Sequence, residues 1–517
     1  MVDLNRQGGS GAADDNEAQI MSDVTALQPA PVLGYEPHRP PRAPPELMPP
    51  ASYRGVFKLA LPSLVESIFS LAIAFTDTFV AGNGRIPSHN AAAAAAVGTM
   101  TYMQWFAGLM TQALGVGATA IVARAIGARR PRVANRVAGT ALSSALLVGL
   151  VVAIFLFAFA RPSIRACGLE GQAADFALRY LKIMVITICL QTAGIIGMAC
   201  LRGAGDTFRP MLITGAIAVI NAITVPALAY GWFGLPALDI RGNALGTMTA
   251  FAISGVATVI LLLSGRAGLR LHAANFRIVP HVLWRILRIG FPSWAEGMLL
   301  WLGQFAIVIL VINHNDAALA TFFSLPLAEI SGITLSAHTD VLRVESFAFL
   351  PGFGFGIAAS ALVGQFLGNG QPLQARRAAK MANRMAFATM TLAALPMVLF
   401  PGTLLRWVVN DAHVAEIGRW PMILAGLAQP GFAIAIIMGS ALKGAGETVW
   451  PMISTIVGMC IIRFPLVVIA SYFIFPHMRH PEWGLIAVWI GIFADLNFRA
   501  ILNGIIFRRG KWAAKRL

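Results

Sequence analysis

One eleven-residue segment occurs twice in this sequence. Residues 201–211 read LRGAGDTFRPM and residues 442–452 read LKGAGETVWPM, with seven identical positions and two more that keep their charge. The copies are 442 − 201 = 241 residues apart, and residues 115–131 align with residues 356–372 at the same offset. An offset of nearly half the 517 residues indicates duplication of a large unit. Each copy lies between long apolar runs, which predicts a polar hairpin between two helices.

The apolar runs predict the fold class. The chain is 57% hydrophobic and 12% charged, and a soluble domain carries roughly twice that charged fraction. Runs of about 20 apolar residues, the length that crosses a bilayer, recur throughout. We predict an all-α polytopic membrane protein with twelve transmembrane helices in two homologous six-helix lobes. The predicted spans are about 56–80, 91–120, 137–160, 175–200, 211–232, 244–264, 286–311, 325–362, 384–405, 418–441, 451–475 and 484–507.

This division predicts four parts along the chain. Residues 1–50 form a disordered cytoplasmic tail, 51–270 the N-terminal lobe, 271–507 the C-terminal lobe and 508–517 a basic cytoplasmic tail. The pair Leu61-Pro62 matches Phe291-Pro292 at an offset of only 230, so we expect an eleven-residue insertion between about 311 and 350. An even number of helices per lobe relates the lobes by an axis along the membrane normal.

The placement of the net charge of +16 along the chain indicates a membrane topology rather than nucleic-acid binding. Arg and Lys gather in alternate loops and at the C-terminus, in a ratio of roughly three to one over the opposite side. This pattern predicts a multi-pass protein of the inner (plasma) membrane with both termini in the cytoplasm. The lipid bilayer is thus one partner, nucleic acid is not, and we expect a monomer.

Ionisable residues inside the predicted spans are functional candidates, because a charge in hydrocarbon costs at least about 2.5 kcal/mol. Glu66 and Asp77 are eleven residues apart, three helical turns, so both lie on one face at about 16 Å separation. The equivalent positions in the second lobe are Glu296 and Ile307, so only the first lobe keeps both carboxylates. A buried carboxyl held by hydrogen bonds is the competing interpretation.

Other polar residues in the spans are secondary candidates. Asp340 and Arg343 have the i,i+3 spacing of a helical ion pair, and Glu345 follows them. For Gln191 and Asn221, an interhelical hydrogen bond competes with a contact to substrate. The same structural interpretation applies to the pairing of Asp495 with Arg499.

The sequence gives no indication of an enzyme or of a resident cofactor. There is no HExxH, GxSxG or Walker motif, and the four cysteines have no metal-binding spacing. Without a motif that binds ATP, transport would be driven by an ion gradient. A metal site is not predicted, apart from Na⁺ at Asp77 if Na⁺ is the coupling ion.

Several segments together resemble the multidrug and toxic compound extrusion (MATE) transporters of the multidrug/oligosaccharidyl-lipid/polysaccharide exporter superfamily. The matching segments cover about residues 54–512. They are LALP and FTDTFVAG in 59–82, the glycine-rich 115–127, LRGAGDT…PM with Asn221 beyond it, IGFPSWAE at 289–296, LRVESFAFLPGFGFGIAASALVGQ at 342–365 and RRGKW at 508–512.

The resemblance implies two six-helix lobes around a central cavity, alternating access, and export of cationic or amphiphilic compounds in exchange for H⁺ or Na⁺. Asp77 in FTDT matches the family's coupling aspartate of the first helix, and Asn221 matches the asparagine of the N-lobe site. One branch has an aspartate where this chain has Val225, and other branches have a glutamate where it has Leu300, with Glu296 four residues earlier. The coupling ion and the lobe that binds it therefore stay open.

Three other functions compete with that of a drug exporter. A flippase for lipid-linked precursors would use the same scaffold but tends to need basic residues facing the cavity, whereas here they lie mainly in loops and at helix ends. A membrane-embedded enzyme would need His, Ser or carboxylate side chains clustered at one depth, and none is visible in the sequence. A channel is permitted by the duplicated lobes but not favoured by them.

Overall fold

The described part of the chain forms twelve long helices, joined by loops and short helices, in a computed structural model. The structure describes residues 48–166, 169–265, 268–308, 311, 333–408, 412–474 and 483–515, and contains no β-strand within these ranges. The helices are α1 (Tyr53–Gly82), α2 (Pro87–Gly127), α3 (Pro131–Ala158), α4 (Gly171–Gly203), α5 (Phe208–Tyr230), α6 (Ile240–Ser264), α7 (Pro280–Ile307), α8 (Ile333–Gly368), α9 (Pro372–Leu399), α10 (Arg419–Gly444), α11 (consecutive helical segments from Val449 to Ile474) and α12 (Trp483–Arg509).

The predicted all-α membrane fold is confirmed. Eleven of the described helices are long and apolar enough to cross a bilayer, and α7, which carries Arg285, Arg288 and Glu296, is the long helix outside that set. Most helices extend several residues past their predicted spans because their polar terminal turns stay helical; α2, for example, runs from Pro87 to Gly127 instead of 91–120. The tail at 1–47 and most of the predicted insertion, at 312–332, lie outside the described residues.

Local sequence signals define the helix ends. Proline occupies the first turn of four long helices, where its missing N–H costs nothing: Pro87, Pro131, Pro280 and Pro372. The Ser52 hydroxyl accepts a hydrogen bond from the Gly55 amide at 3.1 Å and so caps α1. The α4–α5 and α10–α11 hairpins turn at Gly205 and Gly446, whose φ angles of 88° and 80° suit glycine. The duplicated segments therefore form the predicted polar hairpins.

Apolar side chains build cores in both halves, and two helices contribute to the core of the opposite half. Val56 and Ala60 at the start of α1 belong to a cluster with α8, α9, α10 and α12. Val282 and Ile286 at the start of α7 belong to a cluster with α2, α3 and α4. The halves are thus joined through the N-terminal turns of their first helices.

Close helix crossings join the halves at one end of the bundle, which we call the hairpin face because both hairpins lie there. A Cβ atom on Gly127 of α2 would lie 1.9 Å from the Gln365 carbonyl oxygen of α8. A Cβ atom on Gly290 of α7 would lie 1.7 Å from the Ala113 carbonyl oxygen of α2. Because only glycine permits these approaches, the hairpin face is closed in this conformation.

Candidate functional site

Asp77 lies at the centre of a polar cluster in the first half. Its side chain is buried, 7% exposed, in α1. Oδ1 accepts hydrogen bonds from the Asn221 amide of α5 at 3.0 Å and from the Thr247 hydroxyl of α6 at 2.6 Å. The Asn221 amide also donates to the Thr247 hydroxyl at 3.1 Å. Three helices therefore hold one carboxylate in a fixed position.

Further polar groups surround this cluster. The Asn243 amide of α6 donates to the backbone carbonyl of Asp77 at 2.9 Å, one turn before Thr247 on the same helix. Tyr180 of α4 is 1% exposed and lines the same cavity as Asp77 and Gln104. The buried Oδ1 of Asn221 has no hydrogen-bond partner among the described atoms. A free carbonyl oxygen beside a carboxylate can accept a further hydrogen bond or bind a hard cation.

Asp77 lines a cavity of about 290 Å³ enclosed by helices of the first half. Polar groups line it along its length between apolar walls. The lining polar residues are Glu66, Ser70, Asp77, Thr101, Gln104, Tyr180, Gln191, Arg202, Thr214 and Ser254. Isoleucine, methionine and phenylalanine side chains supply the apolar walls. A cavity that combines apolar walls with directed polar groups is typical of small-molecule sites.

The second carboxylate of α1 is neutralised inside this cavity. Glu66 Oε1 lies 2.6 Å from Nη1 of Arg202, at the end of α4. The side chains of Glu66 and Arg202 are only 12% and 19% exposed. Among the described residues that line the cavity, Asp77 is therefore the carboxylate without a cationic partner, and the field of the cavity is negative around it.

The second half has a separate buried polar network. Glu296 pairs with Lys443 at 2.9 Å and accepts a hydrogen bond from Thr455 at 3.4 Å. Thr455 in turn accepts from Arg499, also at 3.4 Å. Asp495, 0% exposed, binds both Arg499 and Arg463, the latter at 2.6 Å. These acids are all paired with cations, so the network is compensated.

The remaining candidates also have structural partners. Arg343 lies 2.6 Å from Asp340, as the i,i+3 spacing predicts, and its own side chain is 70% exposed. Glu345 is buried and accepts a hydrogen bond from the Gln429 amide of α10 at 2.9 Å. Neither Asp340 nor Glu345 lines the cavity around Asp77.

The structure thus brings together part of the predicted set. Asp77 and Asn221 are in direct contact, and Glu66 and Gln191 line the same cavity. Glu296 lies in the other half, away from that cavity.

Sequence reasoning missed four residues that hold these groups in place. Asn243 and Thr247 have i,i+4 spacing in an apolar span, which is a detectable signal for one polar helix face. Arg463 is an ionisable residue inside a predicted span, which should have marked it. The partnership of Arg202 with Glu66 depends on tertiary packing, and no local pattern in the sequence indicates it.

No group of three or more His, Cys, Asp and Glu side chains suited to a bound metal occurs among the described residues. The oxygen atoms near Asp77 come instead from one carboxylate, one amide and hydroxyl groups. Oxygen ligands of this kind suit a hard cation.

Comparison with known proteins gives relatives by sequence and solved structures with the same fold. The chain is 28% identical to the probable multidrug resistance protein NorM of Thermotoga maritima, over 90% of this chain and 94% of the relative. A solved outward-facing multidrug resistance MATE family transporter of the MOP superfamily has the same fold, with a TM-score of 0.77, 20% identity, and 89% of this chain and 97% of that chain covered. A MOP superfamily transporter from Pyrococcus furiosus gives 0.77 at 19% identity, over 90% and 97% of the two chains.

The MatE family model matches residues 62–226 and 292–469, more than half of the chain. Its two matches begin 292 − 62 = 230 residues apart, the offset at which Leu61-Pro62 repeats as Phe291-Pro292. One unit matched twice is the duplication that the hairpins indicate. The chain belongs to the MatE family, as a membrane protein built from two copies of the family's repeating unit.

Proposed function

We propose that this protein is a cation-coupled antiporter that exports cationic or amphiphilic drugs and toxic compounds by alternating access. The observation that carries the proposal is the uncompensated carboxylate of Asp77, buried at 7% exposure and lining a cavity of the first half. A negative charge in a low-dielectric cavity attracts a cation and gains more from binding it than it would in water. Relatives named as probable multidrug resistance proteins support the same function.

In the proposed cycle, the drug and the coupling ion compete for Asp77. The carboxylate binds a cationic drug while the cavity is open to the hairpin face. After the conformational change, H⁺ or Na⁺ enters from the opposite face, neutralises the carboxylate and displaces the drug. The ion must bind the two conformations with different affinity for this exchange to do work. Asn221 and Thr247 hold the carboxylate in position for both ligands.

The coupling ion is left open between H⁺ and Na⁺. A proton would bind the carboxylate alone, whereas Na⁺ would also use the free Oδ1 of Asn221 and the Thr247 hydroxyl. We place the hairpin face on the cytoplasmic side of the plasma membrane, because the basic loops gather at that face.

Ethidium export from proteoliposomes tests the proposal, with an imposed H⁺ gradient in one arm and an imposed Na⁺ gradient in the other. Wild-type protein is expected to export ethidium under at least one gradient, which identifies the ion. Asp77→Asn is expected to abolish gradient-driven export while the protein still elutes as a folded species, because the amide cannot carry the charge. Asp175→Asn, an exposed carboxylate of α4 outside the cavity, is the matched control and is expected to export normally.

Normal export by folded Asp77→Asn protein would refute the role of Asp77. Absence of export by correctly inserted wild-type protein under both gradients would refute the drug antiporter itself. In that case a fluorescent lipid-translocation assay would follow.

A further inference from the structure

The segment after α12 is packed against the bundle rather than extended into solvent. Gly510 turns the chain with a φ of 73°, and a short 3-10 helix, Lys511–Ala514, follows. Trp512 is 2% exposed, its ring stacks on Phe507 at 4.8 Å, and its indole N–H donates to the Phe507 carbonyl at 2.8 Å. Because a buried tryptophan anchors it to α12, this segment has a defined position on the hairpin face.

Lys515 connects the two halves from this position. Its ammonium group lies 2.9 Å from Oε2 of Glu447 in the α10–α11 hairpin of the second half. Its backbone carbonyl accepts a hydrogen bond of 2.6 Å from Nη1 of Arg124, at the end of α2 in the first half. Arg124 is 3% exposed, and its Nε and Nη2 have no other partner among the described atoms. This charge-assisted hydrogen bond is thus the main polar contact of a buried arginine.

The duplication explains why the second hairpin needs a partner from elsewhere. In the first hairpin, Asp206 accepts from the Arg209 amide at 3.1 Å and also pairs with the Arg209 side chain, so the acid is satisfied locally. The equivalent residues in the second hairpin are Glu447 and Trp450, at the offset of 241. Tryptophan carries no charge, so Glu447 has lost the local cation, and Lys515 supplies one.

The C-terminal ends of α2 and α8 also differ in how they contact the opposite half. One makes the contact directly, and the other makes it through Lys515. Arg124 and Gln365 are equivalent at the offset of 241. Gln365 donates directly to the Gly203 carbonyl at the first hairpin, at 3.2 Å across the halves. Arg124 reaches the second half through Lys515 instead. Each hairpin is therefore tied to the opposite half, one directly and one through the C-terminal segment.

We propose that residues 510–515 form a latch that holds the hairpin face closed, and that this face opens only when Lys515 releases Glu447 and Arg124. This proposal rests on the alternating access proposed above, because a latch has an effect only if the hairpin face opens. It would stabilise the conformation in which the cavity is closed towards the hairpin face. Weakening it is expected to shift the population towards the opened hairpin face without altering the drug or ion site.

Distance measurement by pulsed electron spin resonance tests the latch without any drug or ion gradient. Spin labels are attached at Arg132→Cys and Leu373→Cys, exposed positions at the starts of α3 and α9 in opposite halves, in protein whose native cysteines are replaced by serine. Lys515→Ala and Glu447→Gln are each expected to raise the ratio of the long-distance to the short-distance population by about fivefold, the upper value for a partly exposed ion pair.

The matched control is Lys511→Ala, which removes an exposed lysine from the same segment and is expected to leave the distances unchanged. The exchanged pair Glu447→Lys with Lys515→Glu is expected to restore the wild-type distribution, which separates a specific ion pair from general destabilisation. Unchanged populations in folded Lys515→Ala and Glu447→Gln protein would overturn the latch. Because this readout needs no transport, failure of the drug-export proposal would be seen separately, in the ethidium assay.

Discussion

Replacing Asp495 by asparagine is expected to destabilise the second half more than any single loss among its cationic partners. Asp495 is 0% exposed and binds two arginines at once. One oxygen accepts from Nε of Arg499 at 2.5 Å, and the other from Nη2 of Arg463 at 2.6 Å. The Asp495→Asn substitution leaves both guanidinium groups buried without their shared counter-charge.

The magnitude follows from the cost of an unpaired buried charge. Removing one partner of a buried ion pair typically costs about 3–5 kcal/mol. Glu345 also interacts electrostatically with Arg463 and offsets part of this loss, so we expect about 3 kcal/mol for Asp495→Asn. Arg499→Met leaves the Asp495–Arg463 pair intact and fills the space with an apolar side chain, so we expect about 1 kcal/mol or less. The test is whether Asp495→Asn lowers the free energy of unfolding more than Arg499→Met does.

Thermal unfolding in detergent, monitored by fluorescence-detected size-exclusion chromatography, measures which variant unfolds at the lower temperature. Asp495→Asn should lose its monodisperse peak at a clearly lower temperature than Arg499→Met. Asp206→Asn is the control for loss of an acid from a pair at the protein surface, since the Arg209 side chain is 38% exposed, and it should unfold close to wild type. An Arg499→Met protein that unfolds at or below the temperature of Asp495→Asn would refute the argument that Asp495 balances two cations.

Two further predictions concern the helix crossing and the ion site. Gly127→Ala places a Cβ atom 1.9 Å from the Gln365 carbonyl, so we expect an overpacking cost of about 1–3 kcal/mol and a lower unfolding temperature, whereas Gly108→Ala in the same helix meets open space and should be neutral. Thr247→Val removes the 2.6 Å hydrogen bond that stabilises the ionised Asp77 and removes an oxygen that Na⁺ would use. In the ethidium assay the apparent affinity should therefore fall about tenfold if the ion is Na⁺ and rise if it is H⁺, with folding retained; an unchanged ion dependence would contradict the role of Thr247.

The fold could be predicted from sequence because its determinants are local. Twenty-residue apolar runs can only form helices in a bilayer, since no water is there to satisfy the backbone. The repeated LRGAGDT and LKGAGET segments give the hairpins and the duplication directly. Helix ends were predicted less well because a polar terminal turn, such as the one ending at Gly127, stays helical outside the apolar run.

The site could be predicted only where a residue is conspicuous by itself. A lone acid in a span, such as Asp77, is visible because its burial is costly. Its partner Thr247 is a common residue whose importance comes from packing of α6 against α1, 170 positions away in sequence. The pairing that neutralises Glu66 depends on Arg202, 136 positions away, and the Lys515 contacts likewise depend on tertiary structure. Periodicity within one helix carries no information on such pairs.

The two halves share one fold but differ in the polar residues at equivalent positions. The glycines that end α6 and α12 in the left-handed conformation, Gly265 and Gly510, are 510 − 265 = 245 residues apart. At this offset Thr247 corresponds to Ile492, and Asp495 to Ala250. The first half thus has an uncompensated carboxylate that faces a cavity. The second half has an apolar residue at the position equivalent to Thr247, and a buried acid that is paired with arginines.

This exchange bears on where an ion can act. A compensated network gains little from binding a further cation, because its acids already pair with arginine or lysine and would have to release them first. An uncompensated carboxylate gains the full interaction as soon as a cation arrives. If the cation site lay in the second half, Glu296 would first have to give up Lys443, held at 2.9 Å. Asp77 in the first half therefore gains more from an arriving cation than the paired Glu296–Asp495 network of the second half.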